Sequence, residues 1–412
     1  MPEFLQLLPP EEALARFMSH LPVQIVIEEV PIAHALGRVI AVPITAPHAL
    51  PPFIRSTVDG YAVHASDTYG ASESLPAYLK LAGEVRMGSR PDFDLYAAQC
   101  ALIHTGGMLP DSADAVVMLE YTQGIGNGEV EILRSVAVGE NVIKVGEDVS
   151  AGEVVIPAGM RLRPAEIGGL AAFGISNIQV ARQPRVAILS SGDEVVPIEA
   201  EPQPGQVRDV NTLALSALII QSGGVPVSYG IIPDDFEALE QNARRALVEC
   251  DVVVFTAGSS ASARDLTARV IDELGEPGVL VHGVSIRPGK PTILAVCQGK
   301  AVIGLPGNPV SALNIAGLFL TPALDKLLGV KHRPARPVIQ ARLSLNIASQ
   351  AGREDWVPVR LMAGEGGMLA EPVFGKSNLI FTLVRADGMV RIPPDATGLA
   401  AGELVEVFLD RI

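Results

Sequence analysis

The sequence contains little cysteine, few aromatic residues and no apolar run long enough to cross a membrane. Its 412 residues include three cysteines, Cys100, Cys250 and Cys297, which lie far apart. An odd number of cysteines without a Cys-x-x-Cys pair argues against a disulfide framework and a structural zinc site, and it is typical of a reducing compartment. Aromatic residues make up 4% of the chain and all hydrophobic residues 48%, so the cores must be built from aliphatic side chains.

Positive charge is also scarce. The chain carries 31 lysines and arginines against 46 aspartates and glutamates, a formal net charge of −15. This balance argues against nucleic acid as a partner, because such proteins neutralise phosphates with basic side chains, but it leaves room for a local anion site. Residues Met1–Leu21 lack the basic and apolar regions of a signal peptide. We therefore expect a soluble, cytoplasmic protein that binds no membrane.

Familiar catalytic signatures are missing as well: there is no Walker loop, no Gly-x-Ser-x-Gly elbow, no Gly-x-Gly-x-x-Gly turn and no histidine pair with metal-site spacing. The residues before about Val180 predict short strands broken by Gly and Pro. From Pro184 the pattern changes to alternating strands and helices, and the apolar run Val252–Phe255 is typical of a parallel strand buried on both faces. Ligands of such sheets bind at the carboxyl ends of the strands.

The segments Ile286–Pro291 and Leu305–Ser311 form the strongest candidate site. In the second, a predicted strand ends in a glycine turn that opens into an apolar helix, with Asn308 at the N-cap and a proline at the first helical position. Free backbone N–H groups and the helix dipole favour an anion there. Arg287 and Lys290 would add positive charge, so we predict a phosphate or oxyanion site. The alternative is a tight turn that only caps a buried helix.

Polar clusters follow three other predicted strands. Ser190–Glu194 supplies hydroxyls, a glycine and carboxylates that suit a phosphate, a ribose or Mg²⁺, although a turn with a helix cap explains this string equally well. One of Asp234 and Asp235 is expected to cap the next helix, which leaves the other free for a cation. The serine-rich stretch Thr256–Asp265 suits phosphate binding, with Asp265 as a helix N-cap or a magnesium ligand.

The first half of the chain contains a further polar cluster. In Arg55–Val63, an arginine, two hydroxyl residues and Asp59 lie between prolines and a strand, which suggests a site. Asp59 and Gly60 would alternatively form a hairpin turn. Gly146–Asp148 is by itself an ordinary acidic turn. Together the acidic, hydroxyl and basic clusters indicate Mg²⁺-assisted chemistry on a phosphorylated ligand.

In this order, the strings resemble the molybdopterin molybdenumtransferase family, MoeA, and its eukaryotic relative, the E domain of gephyrin. The resemblance runs almost from end to end of the chain. It is carried by Pro51–Phe53, Ser56–Val63, Thr105–Gly107, Ala113–Val117, Gly146–Asp148, Ser191–Glu194, Asp209–Asn211, Arg287–Pro291, Leu305–Ser311, Gly352–Glu354 and the stretch from Ser377 to Pro393.

The resemblance implies an elongated four-domain architecture of α/β and β domains. The predicted domains are a discontinuous domain I (1–45 and 146–180), a β-rich domain II (46–145), an α/β molybdopterin-binding domain III like that of MogA (181–330) and a C-terminal β domain IV (335–412). It also implies a homodimer whose cleft is shared between subunits. The implied reaction inserts molybdate into adenylylated molybdopterin, with Mg²⁺-dependent release of AMP to give molybdenum cofactor. A molybdopterin adenylyltransferase that supplies the substrate is a further partner that the resemblance allows.

Site residues follow from the matching positions. The implied catalytic carboxylates are Asp59, Asp148, Glu194, Asp235 and Asp265, of which Glu194, Asp235 and Asp265 would bind the metal. The implied substrate-binding residues are Thr57, Ser191, Gly192, Asp193, Gly258, Ser259, Ser260, Arg287, Lys290, Pro306, Gly307, Asn308, Pro309 and Ser311.

Ala257 and Ser262 depart from the family, many of whose members carry glycines here. A side chain would hinder a backbone that needs positive φ or a close approach to the ligand. The first alternative to an active transferase is therefore a non-catalytic pterin-binding or scaffold paralogue of the same fold. The second is an adenylyltransferase one step earlier, which would not need the β-rich half that carries Asp59.

Overall fold

The computed structural model describes residues 7–257, 261–331, 336–364 and 366–409. It divides into two compact units. The larger unit comprises Met1–Ala41, Ala158–Ile167 and Asn177–Ile412, and the smaller unit comprises Val42–Pro157 and Gly168–Ser176. The boundaries of the four predicted domains stay a prediction.

The helices are α1 (Pro10–His20), α2 (Pro164–Ala172), α3 (Val210–Gln221), α4 (Phe236–Glu249), α5 (Ala261–Asp272), α6 (Pro309–Ile315), α7 (Thr321–Leu327) and α8 (Phe381–Val384). Within the residues described, none of them combines the length and the apolar character needed to span a bilayer.

The strands of the first part of the chain are β1 (Ile27–Pro31), β2 (Ile44–Thr45), β3 (Arg55–Ser56), β4 (Gly60–Val63), β5 (Ala77–Glu84), β6 (Gln99–Ile103), β7 (Ala115–Met118), β8 (Thr122–Gly126), β9 (Glu129–Ile132), β10 (Val142–Ile143), β11 (Val154–Ile156) and β12 (Asn177–Ala181). Those of the middle part are β13 (Arg185–Ser191), β14 (Val195–Val196), β15 (Val207–Arg208), β16 (Val225–Ile232), β17 (Val252–Ala257), β18 (Pro277–His282), β19 (Ile286–Arg287), β20 (Ile293–Cys297) and β21 (Lys300–Pro306). The last strands are β22 (Val338–Leu343), β23 (Ile347–Ala348), β24 (Glu354–Gly364), β25 (Gly367–Pro372), β26 (Gly388–Ile392), β27 (Gly398–Leu399) and β28 (Leu404–Leu409).

The centre of the larger unit is a six-stranded sheet in the order β16–β13–β17–β21–β20–β18. Strands β16, β13, β17 and β21 run parallel, as the apolar run of β17 predicts. β20 is antiparallel to both of its neighbours, β21 and β18, and here the expectation of a parallel sheet was wrong. The reason is the two-residue turn between β20 and β21, where Gln298 and Gly299 have φ of 51° and 77°. Such a turn joins only antiparallel strands.

Helices cover both faces of this sheet. Val252 and Val254 of β17 belong to an apolar cluster that includes residues of α3 and α6. Val253 and Phe255 belong to a second cluster with residues of α4 and α5. Because successive side chains of a strand point to opposite faces, β17 lies in the middle layer of a three-layer α/β arrangement.

Two predicted helices differ from the structure. α5 begins at Ala261 and not at Asp265, so Asp265 is not its N-cap. The predicted helix Pro309–Leu328 consists of α6, a π-helical turn at Ala316–Leu320 and α7. Pro322 directly follows the start of α7, and its missing backbone N–H removes one bond to the preceding turn, which favours this local widening.

The smaller unit contains a second six-stranded sheet, in the order β7–β4–β6–β5–β9–β8. Its neighbouring strands are antiparallel except for β5 and β6. The sheet carries one apolar cluster on each face, around Val117 and around Val116 of β7. This β-rich unit is what the Gly- and Pro-broken strands of the first half predict.

The C-terminal part of the larger unit is a small barrel. Strands β24, β25, β22, β28 and β26 pair in this order, and β26 pairs back onto β24, which closes the ring. The small C-terminal β domain is therefore confirmed, with β26 as a strand that the sequence did not reveal. β19 pairs in parallel with the first two residues of β24, and Trp356 of β24 lies in the same apolar cluster as Val254 of β17.

Candidate functional site

The carboxyl ends of the parallel strands bring the predicted polar clusters together. In the register of the sheet, Ser190 lies opposite Thr256, and Thr256 lies opposite Leu305. Ser191 lies opposite Ile232, which directly precedes the turn that leads to the paired aspartates. The strings after β13, β16, β17 and β21 therefore start from one edge, as the sequence predicts for a ligand site.

The two adjacent aspartates after β16 have different roles. Asp235 caps α4, because its Oδ1 accepts the Ala238 N–H at 2.9 Å. Asp234 instead faces the Ser190–Glu194 turn: its N–H donates to Asp193 at 3.4 Å. Burial raises the pKa of the Asp234 carboxyl above its ordinary value; a hydrogen bond with Ser191 lowers it, and the charges of Asp193 and Glu194 raise it further.

The sequence left open which aspartate caps the helix, and the resemblance selected Asp235 as the functional one. The structure assigns the cap to Asp235 and leaves Asp234 beside the acidic turn. Asp234 is thus the aspartate that the adjacent-pair argument leaves free for a cation, whereas the resemblance selected its neighbour. The metal role of Asp235 stays a prediction.

Three buried polar atoms at this edge have no hydrogen-bond partner. They are Asp234 Oδ1, Asn211 Oδ1 and Thr256 Oγ1, out of six such atoms found among the residues described. The other end of the Asn211 amide donates to the Gly307 carbonyl at 2.8 Å, so this side chain joins α3 to the turn after β21. Buried polar groups are normally paired, so a concentration of unpaired ones indicates a place for a polar ligand.

The Ser190–Glu194 turn is shaped by its glycine. Gly192 has a φ of 143°, and a Cβ there would lie 2.9 Å from Val195 Cγ2 and 3.0 Å from Glu194 Oε2. Ser191 is buried, whereas Asp193 and Glu194 are exposed. The turn therefore presents two carboxylates to solvent next to Asp234.

Some polar groups of the Leu305–Ser311 turn already have hydrogen-bond partners elsewhere in the chain. Asn308 is the N-cap of α6 but makes no capping bond with its side chain. Its Nδ2 donates to Ser377 Oγ at 2.9 Å, and the Val310 N–H donates to the Ser377 carbonyl at 3.1 Å. The Val310 N–H is therefore not free for a ligand, because the Ser377 carbonyl of the C-terminal domain already accepts it. Pro306, Pro309 and Ser311 are buried, and Gly307 is half-buried.

The basic segment Ile286–Pro291 packs against α6. The Pro288 carbonyl accepts a hydrogen bond from Asn314 Nδ2 at 3.1 Å. A Cβ on Gly289 would lie 2.4 Å from Ile315 Cδ1, so only glycine allows this approach. Arg287 and Lys290, on either side, are exposed. The structure therefore brings together the two segments that the sequence assigned to one anion.

The serine-rich stretch Thr256–Asp265 spans the end of β17 and the start of α5. Gly258, Ser259 and Ser260 lie outside the described residues. Asp265 is exposed on α5, in its second turn. Its proposed metal role stays a prediction.

Asp59 in the smaller unit is held by hydrogen bonds. Its Oδ1 accepts the Thr105 N–H at 2.7 Å and the Thr105 hydroxyl at 3.2 Å, and His104 Nδ1 lies 3.7 Å away. The Thr105 amide, helped by its hydroxyl and by His104, holds the pKa of the Asp59 carboxyl below its ordinary value. Asp59 and Gly60 do not form a hairpin turn, because β3 pairs with β10 and β4 pairs with β6 and β7.

Two further predicted residues of the smaller unit, Thr57 and Asp148, lie on paired segments of the chain. Thr57 is exposed, and its N–H donates to the Asn141 carbonyl at 3.0 Å. Asp148 is exposed as well, and its N–H donates to the Leu50 carbonyl at 3.1 Å. The segments around Asp59 and Asp148 therefore run side by side. Thr105, which the sequence quoted only as part of a matching string, is the residue that fixes Asp59.

These features define a multidomain protein in which polar segments and unpaired polar atoms gather at the carboxyl edge of an α/β sheet. Three family profiles match it: "MoeA N-terminal region (domain I and II)" over residues 8–174, "Probable molybdopterin binding domain" over 187–326 and "MoeA C-terminal region (domain IV)" over 340–409. The chain belongs to the MoeA family of molybdopterin molybdenumtransferases, and its fold is the MoeA-like multidomain architecture.

Relatives with that name cover most of the chain. A molybdopterin molybdenumtransferase from Nostoc sp. is 32% identical over 379 residues, 91% of this chain and 86% of the relative. One from Bacillus subtilis is 31% identical over 98% of this chain and 94% of its own. A crystal structure of the MoeA protein of Pyrococcus horikoshii matches with a TM-score of 0.86 at 31% identity, covering 98% of this chain and 100% of that one.

Proposed function

We propose that the protein is a molybdopterin molybdenumtransferase that inserts molybdate into adenylylated molybdopterin, with Mg²⁺-dependent release of AMP. The observation that carries this proposal is the convergence of unpaired polar atoms and a basic segment at the carboxyl edge of the α/β sheet. Membership of the MoeA family supports it.

The site suits substrates that are anions. Arg287 and Lys290 are exposed on a segment that Gly289 and Pro288 fix against α6. Molybdate is a tetrahedral dianion, and the adenylate carries phosphate groups, so both need fixed donors and positive charge. Positioning and neutralisation of charge are the main sources of catalysis in such a cleavage.

Magnesium fits the donors that are present. The described residues contain no group of three or more His, Cys, Asp or Glu side chains arranged as metal ligands. Mg²⁺ does not need one, because it usually keeps several waters and is held by one or two carboxylates together with substrate phosphates. Asp234 Oδ1, buried and unpaired, is the best-placed carboxylate oxygen, with Glu194, Asp235 and Asp265 as the residues that the resemblance implies. The ion would neutralise developing charge on the phosphate.

The two units contribute different residues to the proposal. Asp59 is ionised at neutral pH, since its pKa is lowered by Thr105, and it would repel anions unless a cation or proton is close by. Asp59 and Asp148 would complete the cleft of a homodimer from the partner subunit. We place this homodimer in the cytoplasm, where an adenylyltransferase would deliver the substrate.

A single-turnover assay tests the proposal. The purified protein is mixed with adenylylated molybdopterin, Mg²⁺ and molybdate, and AMP release is followed, with tungstate in parallel. Molybdate-dependent AMP release is expected, and it would also show that Ala257 and Ser262 are tolerated. Asp59→Asn should lose turnover while it still folds and binds pterin. Tight pterin binding without AMP release would refute the transferase and favour a scaffold.

A further inference from the structure

We infer that Asp355 of the C-terminal barrel is a positioning residue for Arg287 in the anion site. This inference rests on the proposed function, because it concerns the segment that would hold the substrate's anionic groups. It starts from the backbone: β19 pairs in parallel with the start of β24, which places Arg287 opposite Asp355. The Glu354 N–H donates to the Ser285 carbonyl at 2.9 Å and fixes that register.

The Asp355 carboxylate is shared by two guanidinium groups. Only 4% of its side chain is exposed. Arg353 donates to it from Nε at 2.9 Å and from Nη2 at 3.4 Å. Arg287 Nη1 lies 3.8 Å from Asp355 Oδ2, within ion-pair range but too far for a hydrogen bond. A buried carboxylate needs a compensating charge, and Arg353 already supplies it. The contact between Arg287 and Asp355 is therefore not needed to compensate the buried charge, and its main effect is to restrict the position of Arg287.

Arg287 is a side chain that needs such a constraint. Its side chain is 63% exposed, and Asp355 is the one acid in ion-pair range of it among the described residues. An unrestrained arginine loses rotamer freedom when it binds a ligand, which weakens binding. Held at Nη1, the planar guanidinium keeps its remaining N–H groups for a tetrahedral oxyanion.

Charge alone predicts the opposite effect of removing Asp355. A negative charge near an anion site repels the ligand, so Asp355→Asn would strengthen anion binding if position did not matter. If Asp355 holds Arg287 in place, the same substitution weakens binding. The sign of the change therefore separates the two effects.

The test measures binding of inorganic phosphate and of AMP to the full-length protein by calorimetry. Asp355→Asn is expected to weaken both by about fivefold, the upper end of what an exposed ion pair contributes. Glu354→Gln is the matched control: Glu354 is equally buried, in the same strand, and binds Trp356 and Arg391 but not Arg287. It should leave anion binding unchanged. Unchanged or tighter binding in Asp355→Asn would overturn the inference.

A double-mutant cycle distinguishes positioning from general disturbance of the loop. In an Arg287→Ala background, Asp355→Asn should cause no further loss, whereas a loosened loop would add a loss through Lys290. Additive losses would therefore overturn the inference. If Asp355→Asn does not fold, Asp355→Glu is the alternative, because it keeps the charge but displaces it. This variant should fold and bind the anions more weakly. Unchanged binding would again refute the positioning role.

Failure of the proposed function would look different. Wild-type protein that binds phosphate and AMP through Arg287 but releases no AMP from the adenylylated pterin would refute the transferase and leave the positioning role intact. If Arg287→Ala binds phosphate and AMP as tightly as the wild type does, the positioning role is overturned, whatever the turnover assay shows.

Discussion

Asp234 and Asp235 are neighbours in the sequence, yet the structure predicts that their substitution changes stability in opposite directions. Asp235 caps α4 through a single bond to the Ala238 N–H. Replacing an N-cap aspartate by alanine costs about 1 kcal/mol. For a folding unit of a few hundred residues, this corresponds to a Tm lower by roughly 2–4 °C in Asp235→Ala.

Asp234→Asn is expected to raise the Tm. The ionised Asp234 carboxylate is partly buried, has one oxygen without a partner, and lies near Asp193 and Glu194. An amide removes the charge and can donate to the carboxylates that repelled it. Because the site is partly open to solvent, we expect only about 0.5 kcal/mol of stabilisation, the size of an exposed charge pair.

The pH dependence of this gain has a definite sign. The pKa of Asp234 is raised in the folded state, so ionisation disfavours folding. The penalty is absent below the unfolded pKa of 3.8, grows as the pH rises towards the folded pKa, and is complete above it. The advantage of Asp234→Asn should therefore be larger at pH 7 than near pH 4.

The assay is thermal unfolding of the wild type and both variants at pH 7 and pH 5, first without a divalent cation and then with Mg²⁺. If Asp234 holds the ion, Mg²⁺ raises the Tm of the wild type and of Asp235→Ala but not of Asp234→Asn. A lower Tm for Asp234→Asn at pH 7 without Mg²⁺ would refute the repulsion argument. Loss of the Mg²⁺ response in Asp235→Ala alone would return the metal role to Asp235.

Two further predictions concern the smaller unit. Thr105→Val removes the hydroxyl bond to Asp59 but keeps the amide bond, so the pKa of Asp59 should rise only part of the way to its ordinary value. Carboxyl titration by NMR measures this pKa, and an unchanged pKa would contradict the geometry. A lowered folded pKa favours folding above the ordinary pKa, and this contribution is lost as the pH falls through the folded value. Gly60→Ala would place a Cβ 2.0 Å from the Val117 carbonyl oxygen, in a strand paired on both sides, and should cost about 3 kcal/mol in urea unfolding. Gly124→Ala, in the same sheet with no atom within 4 Å, is the control that should stay close to wild type.

Local signals in the sequence were sufficient for much of the fold. The predicted helix Phe236–Glu249 has the bounds found in the structure, because a capping aspartate precedes it and its apolar positions follow one face. The apolar run of β17 correctly indicated a parallel strand covered on both faces. In each case the information lies within a few residues of the element itself.

Features that depend on distant partners were not visible in the sequence. Asp234 and Asp235 are chemically identical, and only the path of the chain after β16 decides which one caps the helix. The Val310 N–H looked free because its acceptor, the Ser377 carbonyl, lies 67 residues further along the chain. The direction of β20 followed from a turn at Gln298 and Gly299 whose backbone conformation the pattern of apolar residues does not encode.

The C-terminal barrel makes specific contacts with both segments of the proposed anion site. Its Ser377 satisfies the start of α6, and its Asp355 faces Arg287, so both segments that the sequence assigned to the anion contact it. The apolar cluster around Val254 also continues into the barrel through Trp356. Removing the barrel would therefore expose core side chains as well as release the two loops. The barrel thus supports both segments, and if they bind an anion as we propose, substitutions within the barrel should change that binding without touching the ligand.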